Sequence, residues 1–202
     1  MSKQMDMSNS GKQRRRTALW AVATMTFALS LITARANAQG SAPTDPQIVG
    51  IVTTADQIDI NYGKLALSKA KNQQVRDFAR QMITDHSSVQ KSVDTLAAKL
   101  NVTAADSATS DSLKAQAEQM TRKLEGLKAR EFEKVYIDNE VAYHQAVINV
   151  TKTVLVPSAQ NAELKSALQG AVPLFEGHLE HAQRVQAAIE GGGGQSSSGM
   201  GR

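Results

Sequence analysis

Between residues 46 and 189 apolar side chains return at three- and four-residue intervals, and no run alternates with polar residues long enough to make a sheet. A period near 3.6 puts those side chains on one face of a helix. Several one-sided helices must then bury their faces against one another, which predicts an all-α fold. The first stripe is Ile51, Ala55, Ile58, Tyr62 and Leu65, opened by Asp45 as predicted N-cap and Pro46 at the first helical position. After a turn near Lys71 and Asn72 a second stripe runs through Val75, Phe78, Met82, Val89, Val93, Leu96 and Leu100. So short a connection makes the first two helices antiparallel neighbours.

Residues 101–110 are polar and read as a loop. A third helix is predicted from about Asp111, with Leu113, Ala117, Met120, Leu124 and Leu127, then Phe132, Tyr136, Tyr143, Val147, Thr151 and Val154; Gly126 is its weak point. Pro157 and Ser158 end it and open the fourth, which carries Leu164, Leu168, Ala171, Phe175, Ala182, Val185 and Ile189. Pro173 lacks an amide donor inside that run and predicts a kink or a split. The expected architecture is an up-down four-helix bundle with a break or kink in the third and fourth helices.

The chain has no cysteine, so the core must hold the fold without disulfides, and Cys-ligated zinc and thiol catalysis are excluded. The ends read differently from the middle. Lys12, Arg14, Arg15 and Arg16 precede an uncharged apolar stretch over residues 18–32, and Ala36-Asn37-Ala38 supplies the small residues of a cleavage site. This is the layout of a signal peptide over residues 1–38, cut after Ala38. It predicts a periplasmic or secreted protein. The apolar stretch is short of the roughly 20 residues a membrane span needs, so no transmembrane segment is expected in the mature chain. Residues 39–44 form a polar lead, 45–190 the bundle domain, and 191–202 a Gly/Ser tail expected to be disordered.

The whole chain carries 23 Lys and Arg against 19 Asp and Glu. Residues 1–38 hold six of the basic residues and one acid, so the remainder has 17 basic and 18 acidic residues. The basic balance belongs to the leader, and nucleic-acid binding, which needs a basic face on the folded domain, is not expected. The mixed charges around residues 122–134, Glu133 among them, read as a solvated face.

All four histidines fall in the predicted helices. His86 continues the stripe of Met82 and Val89, His144 follows Tyr136 and Glu140, and His178 follows Phe175, with His181 one turn on. Asp59 lies at the edge of the first stripe. A buried polar group without a partner costs about 1–3 kcal/mol, a large part of a typical stability of about 5–15 kcal/mol. Rings on buried faces must therefore be satisfied by carboxylates (Asp59, Asp85, Glu140), by tyrosine hydroxyls (Tyr62, Tyr136, Tyr143), by water or by a metal. Two readings follow: a hydrogen-bonded network that tightens the bundle, or a site for a divalent transition metal on His86, His144, His178 and Asp59, with Glu140 and His181 as further candidates. A Glu-x-x-His pair of the di-iron type is missing, since Ile83 stands three before His86 and His178 three before His181. Asp85, next to His86, points about a quarter-turn away and reads as a surface residue.

Four stretches carry a family resemblance: Tyr62-Gly63-Lys64-Leu65-Ala66; Val75-Arg76-Asp77-Phe78-Ala79 with Met82 and Asp85-His86; Glu131-Phe132 through Tyr136-Ile137 to His144; and Val172-Pro173 with His178-Leu179. Together they resemble an exported bacterial domain-of-unknown-function family, often labelled as outer membrane or exported proteins, whose members are expected to be ferritin-like helical bundles. The resemblance spans about residues 46–189. It implies that the family's histidines are His86, His144 and His178, that its first-helix acid is Asp59, that Glu133 follows Phe132 where the family has Asp, that Glu140 stands where it has an amide, and that His181 is additional. It implies no activity. A transmembrane barrel is not expected, for its short alternating segments are missing. The resulting expectation is an exported periplasmic bundle without assigned activity, binding an envelope component as a non-catalytic, stress-related protein. The alternative is a bundle that binds a metal or small ligand through the His/carboxylate cluster.

Overall fold

A computed structural model describes residues 41–191. The predicted signal peptide and all but the first residue of the Gly/Ser tail lie outside the described residues. The described part is built of helices and their connections, with no strand among the described residues. Its elements are α1 (Asp45–Lys69), α2 (Gln73–Lys99), α3 (Ala108–Gly126), α4 (Ala129–Val150), a π-helical turn (Thr151–Leu155), the short α5 (Val156–Ser158) and α6 (Ala162–Gly191).

Local chemistry sets most of the boundaries, sometimes one residue from where the sequence pattern puts them. The N-cap of α1 is Thr44, not Asp45, and the Thr44 amide donates to Gln47 Oε1 at 3.0 Å. Asp45 instead reaches across the fold, and its two carboxylate oxygens accept from the amides of Gln160 (2.8 Å) and Asn161 (2.9 Å). Asn161 in turn caps α6 by accepting from Glu163 and Leu164. Pro157 therefore does not start the last helix; it sits inside α5, and the chain breaks at residues 159–161. The α1–α2 turn is closed by Asn72, whose side chain accepts from the amides of Gln74 and Val75. Glu133 completes it, accepting from the amides of Lys71 and Asn72 at 2.7 Å each. Glu133 is buried, so it does not belong to the solvated face assigned to it, because the turn of another helix needs its oxygen.

The expected third helix is two helices. The break comes just past Gly126, where Leu127 and Lys128 are extended and Ala129 takes a positive φ of 48°. By contrast α6 runs unbroken through Pro173, so the expected split does not occur there. The one lost hydrogen bond falls on a position exposed to solvent, where water can serve the orphaned carbonyl.

Cross-helix contacts give the directions. Asp56 meets His86, and Gly63 lies against Ala79 and Ile83, so α1 and α2 are antiparallel. Gln81 with His181 and Lys99 with Glu163 make α2 and α6 antiparallel; Lys134 with Glu190 and Lys152 with Glu176 do the same for α4 and α6. α3 runs beside α1 in the same direction, from Ala105, which donates to the Pro46 carbonyl, to Leu124, whose carbonyl accepts from Lys69. Gly50 allows that approach. A Cβ there would stand 2.1 Å from the Ala105 carbonyl oxygen, a backbone atom that cannot swing away. Gly50→Ala is expected to cost about 1–3 kcal/mol by overpacking, despite the better helix propensity of alanine. Urea melts of the variant give the value; an unchanged midpoint would refute the contact.

The core has two apolar layers. One holds Phe78, Met82, Phe132, Tyr136, Ala182 and Val185; the other Ile48, Val49, Ile51, Leu155, Leu164 and Leu168. Between these layers α1, α2, α4 and α6 bring in a set of buried polar residues, Asp56 and Asp59, His86, Glu140 and His144, and His178, alongside the apolar Ile60, Ile148, Val172 and Phe175.

Candidate metal centre

That polar layer lies at mid-bundle, built on four rigid helices. Spacing accounts for its pairs. Asp56 and Asp59 are three apart on α1, and Glu140 and His144 four apart on α4, so each pair shares a face. Asp59 and Glu140 are wholly buried, and His144 and His178 are each 1% exposed.

Each imidazole is anchored through one nitrogen. His86 Nδ1 donates to Asp56 Oδ1 at 2.7 Å, His144 Nδ1 to the Glu140 backbone carbonyl at 3.0 Å, and His178 Nε2 to Asp85 Oδ2 at 2.9 Å. The other nitrogens, His86 Nε2, His144 Nε2 and His178 Nδ1, have no hydrogen-bond partner in the protein. One nitrogen from each of the three rings falls within 4.8 Å of the others. Asp59 Oδ2 stands 3.1 Å from His86 Nε2 and 3.4 Å from His144 Nε2, without the alignment of a hydrogen bond. Metal-bound histidines show this arrangement, one ring nitrogen fixed by a carboxylate or carbonyl so that the other faces the ion. Phe175 stacks on the His86 ring, 5.6 Å between centroids and 3° between planes, and holds its orientation.

Charge divides the rings in the metal-free chain. Burial pulls His86 down, but the charges of Asp59 and Asp56 and the Asp56 hydrogen bond outweigh it and raise the imidazole to about 10. Burial wins at His178, which falls to about 4 despite its bond to Asp85, and His144 is lowered for the same reason. Burial also pushes the Glu140 carboxyl well above the usual range, helped by the negative Asp59 beside it. At Asp59 burial raises the carboxyl, and the histidines around it more than reverse that. Two neutral imidazoles are thus ready to donate lone pairs at pH 7.

Of the sequence candidates, His86, His144, His178, Asp59 and Glu140 come together. His181 does not join them; its Nδ1 pairs with Gln81 Oε1 at 2.8 Å and its ring meets the edge of Phe78. The tyrosines are not partners of the rings either. Tyr143 donates to the Ala55 carbonyl and Tyr62 to that of Ala117, while the Tyr136 hydroxyl has no partner. Asp85 is not a bystander on the surface but the anchor of His178. Asp56 escaped the sequence reading. The signal was there, an acid three residues before Asp59 and so on its face.

Such a layer defines a class: helical bundles with a buried imidazole–carboxylate centre across the middle. The chain belongs to the domain of unknown function family DUF4142, whose model matches residues 31–185. No curated protein matches the sequence. Among solved structures, a DUF305 protein from Streptomyces coelicolor, described as secreted, superposes with a TM-score of 0.60 at 12% identity, covering 71% of this chain and 92% of that one. A DUF305 fragment from Deinococcus radiodurans gives 0.59 at 15% identity, with 72% and 99% covered. CopM in its Cu(II)-bound form gives 0.55 at 14% identity, with 73% and 99% covered. At these identities the likeness is one of fold. Among the described residues no helix is long and apolar enough to cross a membrane.

Proposed function

We propose that this protein is an exported metal-binding bundle that holds a divalent transition metal through His86, His144, His178 and Asp59. The observation that carries the reading is a set of three buried imidazoles that each offer a nitrogen within 4.8 Å of the others and each keep one ring nitrogen free of any hydrogen bond. Ligands about 2.1 Å from a common ion are at most about 4.2 Å apart, close to the upper bound on the spread of these nitrogens. Imidazole nitrogen with one carboxylate suits copper, zinc, nickel or iron, and Cu(II) heads the affinity order. The fold neighbour solved with Cu(II) makes copper the first ion to try.

α1, α2, α4 and α6 form the ligand-bearing four-helix unit, arranged in the ferritin-like manner, with α3 as an ordered crossover between α2 and α4. Cleavage after Ala38 delivers the mature chain to the periplasm, in keeping with the secreted description of a neighbour. The groups at the centre are ligands and their anchors, which supports a binding role in the envelope rather than catalysis.

Elemental analysis of untagged protein, equilibrated with Cu(II) or Zn(II) and gel-filtered, is expected to find at least one equivalent. His86→Ala is expected to fall well below one. Wild-type protein far below one equivalent, or a content unmoved by His86→Ala, would refute the reading and leave a hydrogen-bonded structural network.

A further inference from the structure

The three histidines and one oxygen of Asp59 do not account for the whole polar layer. Both oxygens of Glu140, wholly buried, lack a hydrogen-bond partner, and so does the second oxygen of Asp59. Glu140 does not serve to orient His144, because the His144 Nδ1 proton goes to the backbone carbonyl of Glu140, leaving the carboxylate 3.6 Å from that nitrogen. No Lys or Arg pairs with Asp59 or Glu140 among the described residues. Burial keeps the Glu140 carboxyl protonated in the metal-free chain, and each of its unsatisfied buried oxygens still carries a desolvation cost of about 1–3 kcal/mol.

These leftover groups make a second ligand set. Asp59, Glu140 and His144 each offer an atom within 4.8 Å of the others, separately from the convergence of His86, His144 and His178. We infer that the centre takes two divalent cations, the second held on the Asp59–Glu140–His144 side, with the Asp59 carboxylate bridging the pair. The inference rests on the metal-binding reading above. His144 belongs to both sets and serves the first ion, which leaves Glu140 and the second oxygen of Asp59 to hold the other. One ion then sees a nitrogen-rich surrounding and the other an oxygen-rich one, so the first site fills before the second. Separations of about 3.5–4 Å are usual for such pairs.

The test is a titration of untagged, chelator-stripped protein with Cu(II), read by metal content after gel filtration and by electron paramagnetic resonance. The wild type is expected to bind two equivalents. At the second, the integrated spin should fall below the copper content, as magnetically coupled neighbouring ions require. Glu140→Gln keeps the shape of the side chain and is expected to stop at one equivalent with full spin intensity. Circular dichroism checks that the variant is folded, and Glu140→Asp should restore part of the second equivalent if the variant amide is folded but silent. Saturation of the wild type at one equivalent, or two equivalents in Glu140→Gln, overturns the second site while the single-ion reading stands. No binding by wild type overturns both.

Discussion

Saturating the chelator-stripped protein with a tightly held divalent metal is expected to raise its melting temperature by about 10 °C. An ion that binds only the folded state, present at a thousandfold over its dissociation constant, stabilises by about 4 kcal/mol. For a domain of this size each kcal/mol moves the midpoint by roughly 2–4 °C. Asp59→Ala should abolish the shift, because Asp59 Oδ2 lies against both His86 and His144 and supplies the one carboxylate in reach of both rings. The same variant should also melt lower without metal, by about 3–5 kcal/mol of stability, since His86 loses the charge that holds its proton in the core. Differential scanning calorimetry with and without metal separates the two effects. A melting point that does not respond to any of copper, zinc, nickel or cobalt would contradict the prediction.

The metal-free protein is expected to lose stability on both sides of pH 6.5. His178 is lowered to about 4 in the fold, so the unfolded chain takes up its proton first. The stability this ring contributes is fully present above its ordinary value near 6.5 and is lost as pH falls from there toward 4. His144, also lowered, acts in the same sense. His86, raised to about 10, works in the opposite sense: its contribution is complete below 6.5 and fades as pH rises to 10. Glu140, raised by burial, loses its contribution as pH rises above its ordinary value and acts in the sense of His86, so urea unfolding from pH 4 to 9.5 should show an acid limb shallower than the alkaline one. His178→Leu should flatten the acid limb and leave the alkaline limb in place. An acid limb unchanged in that variant would show that another group drives it.

Much of the bundle can be read from spacing alone. The stripes of α1 and α2, the turn at Asn72 and the burial of His86, His144 and His178 follow from where apolar residues recur, because a helix repeats its face every three or four positions. The break after Gly126 was visible only as a weak point, since a two-residue reversal needs no proline and leaves the stripe almost in phase on either side. Of the kink or split expected at Pro173 the split is absent, as an exposed helix position can lose one hydrogen bond to water and continue. Glu133, Asp45 and Asp85 all act on segments at least 60 residues away, and no local pattern records such partners.

What the sequence determined by itself was the class of fold and the presence of imidazoles on buried faces, for both depend on periodicity within single helices. The tertiary structure decided that these rings share one level of the bundle, which nitrogen of each is anchored, and that Asp56, Asp59 and Glu140 stand at that same level. Level and orientation depend on how helices slide and turn against each other. That is set by close packing of the two apolar layers, a property of all four helices at once and of none alone.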